Sequence, residues 1–139
     1  MPNKASIKKV DVAWLAGIVD GEGSIICTIP YKRGYHLCRL TITNTDEGIL
    51  SEARRILDEW LVVYRFKPIP ASKLSKLPCF RIEVFRHSEL IFIFEKIMPY
   101  LKSVRKQKAQ FMLHILRQNT RLDGRRSNGM KKVRQYPLI

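Results

Sequence analysis

Asp20 and Glu22 are the side chains of this sequence best placed to do chemistry. They stand one residue apart at the end of LAGIVDGEG, Leu15 to Gly23. Behind them Val10, Val12, Ala13, Trp14, Leu15, Ala16, Ile18 and Val19 are apolar almost all round, which predicts a helix buried on most of its surface. A helix C-terminus carries partial negative charge, so two carboxylates there need an opposite charge beside them, and a bound cation would supply it. Gly17 and Gly21 share one helical face, where their missing side chains let a second backbone approach. Gly21 and Gly23 also offer a left-handed turn to end the helix. A glycine-capped helix with a solvated acid fits the same nine residues, and the rest of the chain must decide.

No other constellation competes. No His/Asp/Ser or Cys/His arrangement suggests a nucleophile, and His36, His87 and His114 read as structural. Cys27, Cys38 and Cys79 are an odd number without zinc-ligand spacing, so they read as buried reduced thiols in a reducing compartment. The charge balance is more telling: 26 Lys and Arg against 12 Asp and Glu leave +14 on 139 residues. That excess predicts a polyanionic partner. With no apolar run near 18 residues and no leader-like start, the expectation is a soluble intracellular protein, in a prokaryotic cytoplasm or an organelle, that is neither secreted nor membrane-bound.

The elements that would position the acids can be read in order. After the first helix, Ser24 to Asn44 alternates as two strands broken at Lys32, Arg33 and Gly34, with Ile25, Cys27, Cys38, Leu40 and Ile42 inward. Thr45 is a plausible cap for a helix striped by Ile49, Leu50, Ala53, Ile56, Leu57 and Trp60. A second strand pair is expected at Leu61 to Lys67 and Cys79 to Arg86. Ser88 can cap a third helix that stops at Pro99, and a fourth follows Lys102. The sum is an α+β domain with helices on one face of an antiparallel sheet. Its other face offers Ser24, Ile26, Thr28, Lys32, Arg33, Tyr35, Arg39, Thr41, Arg65, Lys67, Arg81 and Glu83, which apart from the aliphatic Ile26 are hydroxyl, aromatic and charged groups suited to base edges and phosphates. Residues 1–9 read as an arm, 10–117 as the domain, and 118–139 as a mobile basic tail.

LAGIVDGEG, continued as GEGSI, resembles the signature of the LAGLIDADG homing endonucleases, in the form with one motif per chain. The element order resembles that family's αββαββα core with a further C-terminal helix. Lys102 to Gln110 resembles the segment before its last core helix, so the likeness covers residues 10 to 117. The resemblance implies that two motif helices pack across a two-fold axis, with Leu15, Gly17, Ile18, Asp20 and Gly21 at the interface. A single motif then implies a homodimer and a near-palindromic double-stranded DNA site.

The resemblance also implies roles. Glu22, at the motif's eighth position where Asp is commoner, would hold Mg²⁺ with the carbonyl of Gly21, and Mn²⁺ or Ca²⁺ could occupy the same place. Asp20 would support the helix end. Asn44 would organise the water where Gln is familiar, and Lys106 would face the scissile phosphate, with Arg105 and Lys108 left open by a one-residue ambiguity in aligning Ser103 and Val104. The implied function is an intron- or intein-encoded endonuclease making a metal-dependent double-strand break. RNA-splicing maturases and non-cleaving transcription regulators of the same fold are the alternatives, and retention of the acid distinguishes the cutters.

Overall fold

The computed structural model describes residues 7–28, 37–71 and 77–126, with side chains as far as 118. Its elements are α1 (Lys9–Glu22), β1 (Gly23–Thr28), β2 (Leu37–Asn44), α2 (Glu47–Glu59), β3 (Arg65–Ile69), β4 (Cys79–Val84), α3 (His87–Ile97), a short 3-10 turn (Met98–Tyr100) and α4 (Arg105–Arg126). The four strands form one antiparallel sheet in the order β1-β2-β4-β3. This is the α+β arrangement expected from the alternating and helical periods. Among the described residues no helix is long and apolar enough to cross a membrane.

The inward rows of the strands meet the helices in one core. Ile25, Cys38, Leu40, Ile42, Ile82 and Val84 cover it from the sheet. Leu15 and Val19 of α1, Leu50 and Ile56 of α2, Leu90 and Phe94 of α3, and Met112 and Leu116 of α4 close it from above. Each such large side chain, fully withdrawn from water, stabilises the fold by roughly 1.5–3 kcal/mol. α1 is also pinned to α2 by Arg55, whose Nη2 donates to Asp11 at 2.9 Å while Glu52 and Glu59 hold the rest of the guanidinium. Asp11 is thereby buried with its charge paired.

The cysteines are free. Cys27 and Cys38 lie opposite each other on β1 and β2. The Cys38 thiol donates to Cys27, which pulls Cys27 below the usual thiol pKa; that bond, with burial, pushes Cys38 up.

Element boundaries differ from the sequence reading at four points, each for a local reason. Asp46, not Thr45, caps α2: its Oδ1 accepts from the N–H groups of Gly48 and Ile49 at 2.8 and 3.3 Å. β3 begins at Arg65 because Leu61 takes the left-handed conformation, with φ of 59°, and ends α2 through Val62 N–H to the Leu57 carbonyl at 2.9 Å. α3 starts at His87 without a side-chain cap, so Ser88 lies inside it. α4 runs on to Arg126, so the segment after Gln118 opens as helix. The expected turn at Lys32–Gly34 lies outside the described residues, as do His36 and everything beyond 126.

Candidate functional site

α1 passes into β1 without a turn residue. Gly23 is extended, with φ of −81° and ψ of 151°, so its value is space rather than left-handed freedom. A Cβ there would stand 2.7 Å from the Val19 carbonyl oxygen and 2.9 Å from its Cα. The strand therefore leaves directly from the last helical turn, and Glu22 is held at the junction.

The two acids have different surroundings. Asp20 is tied to the approach of α4: its Oδ2 accepts from Lys102 N–H at 2.8 Å, and its Oδ1 accepts from Ser103 N–H at 3.0 Å and Ser103 Oγ at 2.6 Å. Arg105 returns the link, donating from Nε to the Gly23 carbonyl and from Nη1 to the Asp20 carbonyl, both at 2.9 Å. These bonds answer the electrostatic problem of a carboxylate at a helix C-terminus, since they bring donors and a guanidinium to it. Desolvation alone would raise the Asp20 pKa. The hydrogen bonds from Ser103 and Lys102 and the charge of Arg105 outweigh it and hold the carboxyl below its ordinary value.

Glu22 is exposed, and among the described residues it makes no hydrogen bond or ion pair. Arg105 occupies the carbonyls on either side of Gly21 and Glu22, so it is the basic group held against the motif. Lys106 is half-buried one residue further round α4. Asn44 ends β2, two residues past the Gly23–Ile42 rung, at the end of the sheet where α1 finishes. Its Oδ1 accepts from Asp46 N–H at 2.8 Å, which leaves the amide NH₂ to donate.

The donor set suits a hard cation shared with another molecule. Among the described residues no three or more His, Cys, Asp or Glu side chains cluster, so at the end of α1 the described residues offer the Glu22 carboxylate and nearby carbonyls rather than a complete cation cage. Mg²⁺ retains waters and takes one or two carboxylates together with phosphate oxygens, which fits that supply.

One face of α1 is open. Val10, Ala13, Gly17 and Gly21 are exposed, with Trp14 and Ile18 half-buried beside them. A Cβ at Gly17 or Gly21 would meet nothing within 4 Å. The expectation of a helix buried on most sides is thus corrected: this stripe is left bare by the chain itself. Leu15 is also corrected as an interface residue, because it is fully buried in the chain's own core.

The sheet's outer face carries the polar row in register. Ser24, Thr41, Glu83 and Arg65 are aligned across all four strands, and Thr43, Arg81 and Lys67 form the next rank. Ile26 pairs with Arg39, and Thr28 with Leu37. Ser24, Thr28, Arg65 and Lys67 are exposed, while Ile26, Arg39 and Arg81 are half-buried. Arg81 Nε donates to Thr43 Oγ1 at 3.3 Å. Thr41 and Glu83 are buried. Glu83 is therefore corrected as a direct base reader: its carboxylate is engaged by Arg39 at 2.9 Å and faced by Arg65 at 3.7 Å. Lys32, Arg33 and Tyr35 lie outside the described residues. Sequence reasoning missed Ser103 as partner of Asp20 and Phe85 as support for Arg65, whose guanidinium lies 4.2 Å over the ring. The orphan carbonyls and N–H groups at the facing helix ends were the available signal for the first.

Comparison with solved structures finds the same fold. The chain is similar to the homing endonuclease I-CvuI in complex with its target in the presence of calcium, with a TM-score of 0.59 and 23% identity over 78% of this chain and 67% of that one. It is similar to I-CvuI with the I-CreI target and magnesium, where the DNA is not cleaved, at 0.57 and 25% over the same shares. The LAGLIDADG meganuclease I-AabMI, bound to uncleaved DNA, matches at 0.62 and 16%, over 88% of this chain and 42% of that one. No family model and no curated protein matches the chain.

Proposed function

We propose that this chain is a single-motif LAGLIDADG homing endonuclease: a homodimer that makes a metal-dependent double-strand break in a long, near-palindromic DNA site. The observation that carries the reading is the end of α1, where an exposed Glu22, without a partner among the described residues, finishes a helix whose glycine stripe is bare. Pairing two such stripes across a two-fold axis brings two Glu22 carboxylates together, one for each DNA strand. The fold shared with DNA-bound homing endonucleases supports the same reading, as does the +14 charge.

The chain's residues divide the work. Glu22 and the Gly21 carbonyl would hold the divalent ion, with Mg²⁺ the fitting choice and Mn²⁺ or Ca²⁺ able to use the same oxygens. When bound, that ion supplies an activated water, charge neutralisation at phosphorus and stabilisation of the leaving 3′ oxygen. Arg105 keeps the motif end in place through Nε and Nη1 and presents Nη2 toward phosphate, a role that falls to it before Lys106. Asn44 orients water through its amide NH₂. Asp20 acts as the brace between α1 and α4. On the sheet, exposed Lys67 grips phosphate, while Arg39, Arg65 and Arg81 face base edges.

The test is cleavage of a plasmid library carrying randomised sites, with Mg²⁺ present or chelated. Wild type cuts a near-palindromic subset only with the metal, and Glu22→Gln binds those sites without cutting them. Equal cleavage by both proteins overturns the role of Glu22. Tight binding by wild type with no cutting in any divalent ion favours a regulator of the same fold.

A further inference from the structure

One carboxylate on the DNA-facing side of the sheet is buried. Glu83 sits on β4, between β2 and β3, opposite Thr41 on one side and Arg65 on the other. Its side chain is 4% exposed, too withdrawn to meet a base edge. Arg39 Nη1 donates to its Oε2 at 2.9 Å, and Arg65 Nη1 stands 3.7 Å from its Oε1. Arg65 also lies flat over Phe85. Both guanidinium groups are anchored from within and keep an open side: Arg39 is 37% and Arg65 51% exposed.

We propose that Glu83 is a positioning residue for sequence reading, fixing Arg39 and Arg65 as a paired guanidinium unit that recognises guanine edges in duplex DNA. This deepens the reading above and rests on it. A buried ion cluster adds little net stability over apolar packing, because desolvation offsets the Coulomb attraction. Its value here is order. A free arginine must surrender rotamer freedom to form a two-pronged contact, and an arginine already held does not. The planar fork matches O6 and N7 of guanine in a way no lysine does. Among the described residues, Glu83 Oε1 and Arg39 Nε complete no hydrogen bond. The cluster thus retains one acceptor and one donor with which to tighten as DNA settles on it. Because both arginines share one carboxylate, moving either changes what holds the other.

The experiment is selection of bound duplexes from a random library by wild type, Glu83→Gln, Glu83→Asp, Arg39→Gln and Arg65→Gln, followed by titration of the selected site and of a scrambled duplex. Wild type selects sites with guanines that the two arginine variants cease to prefer. Glu83→Gln binds the scrambled duplex at least as tightly, since a negative charge is gone. Its ratio of specific to non-specific affinity falls about ten-fold or more, with both guanine preferences weakened together. Glu83→Asp restores part of the ratio. A Glu83→Gln protein that keeps both guanines at the wild-type ratio overturns the inference, and so does one that loses both affinities alike. Should Glu83→Gln fail to fold, Arg39→Gln decides the same question: preference changing at both guanines supports the shared carboxylate, and change at one position alone overturns it. Selection of no site by wild type brings down the DNA-cutting reading itself, a different result from either.

Discussion

Gly17→Glu separates folding from assembly. In the single chain the substitution costs no packing, because a Cβ at Gly17 meets nothing within 4 Å. Glutamate is the better helix former, so α1 gains roughly 0.5 kcal/mol over glycine. In a dimer built on the bare stripe of α1, the same position faces its own copy near the axis. Two carboxylates about 5 Å apart at an effective dielectric of about 20 repel by about 3 kcal/mol. That is about a hundred-fold loss in dimer affinity before any steric cost. The opposing signs make the assay decisive. Melting followed at several protein concentrations shows a wild-type midpoint that rises with concentration, by mass action, and a Gly17→Glu midpoint that does not. Light scattering on the DNA complex gives the dimer mass for wild type alone, and cleavage fails in the variant. A variant with wild-type mass and cutting refutes the assignment of the stripe. A variant that unfolds refutes the claim that the chain leaves this space open.

The end of α1, where it meets the approach to α4 and passes into β1, yields two more expectations. Asp20→Asn keeps one acceptor but turns an amide NH₂ toward backbone donors, and costs about 2 kcal/mol at pH 7. The folded Asp20 pKa lies below its unfolded value of about 3.9, so this contribution is complete above that value and lost as pH falls through the folded pKa. Urea unfolding from pH 7 to pH 2 therefore shows the gap between the two proteins closing only in acid; a gap unchanged at pH 2 contradicts the pairing. Gly23→Ala drives a Cβ into the Val19 backbone at 2.7 Å and destabilises by about 1–3 kcal/mol. Thermal melting measures it, and an unchanged midpoint shows that the helix-to-strand passage is looser than the geometry says.

Periodicity made the large elements legible. Alternation in Ile25, Cys27, Cys38, Leu40 and Ile42 placed the hairpin and its buried side, and the stripe from Ile49 to Trp60 placed α2. The junctions were less legible because they depend on partners distant in sequence or on a single backbone angle. Leu61 carries no turn signature, yet its left-handed φ delays β3 to Arg65. Thr45 and Asp46 are both good cap residues. The choice fell to Asp46, whose own N–H is held by Asn44. The outer face shows the same limit: alternation assigns Glu83 to that side correctly, but only strand order reveals that Arg39 and Arg65 close over it.

The two acids of the motif show why local pattern and function part company. Asp20 and Glu22 share a charge and a helix end, and the dipole is adverse to both. The approach to α4, at Lys102 and Ser103, supplies Asp20 with two backbone N–H groups and a hydroxyl, and Arg105 of α4 caps the carbonyls around it. That acid's electrostatic cost is met within the chain, so a cation has little to gain there. Glu22 receives no such partner among the described residues, and that difference is the ground for proposing it, rather than Asp20, as the carboxylate that would take a divalent ion. Electrostatics alone thus favours Glu22 over Asp20, without reference to any relative. In the proposed reaction the brace at Asp20 would matter without touching the chemistry: by tying α1 to α4 and its approach, it would hold Glu22 and Arg105 in a fixed relation while two chains and a DNA duplex assemble around them.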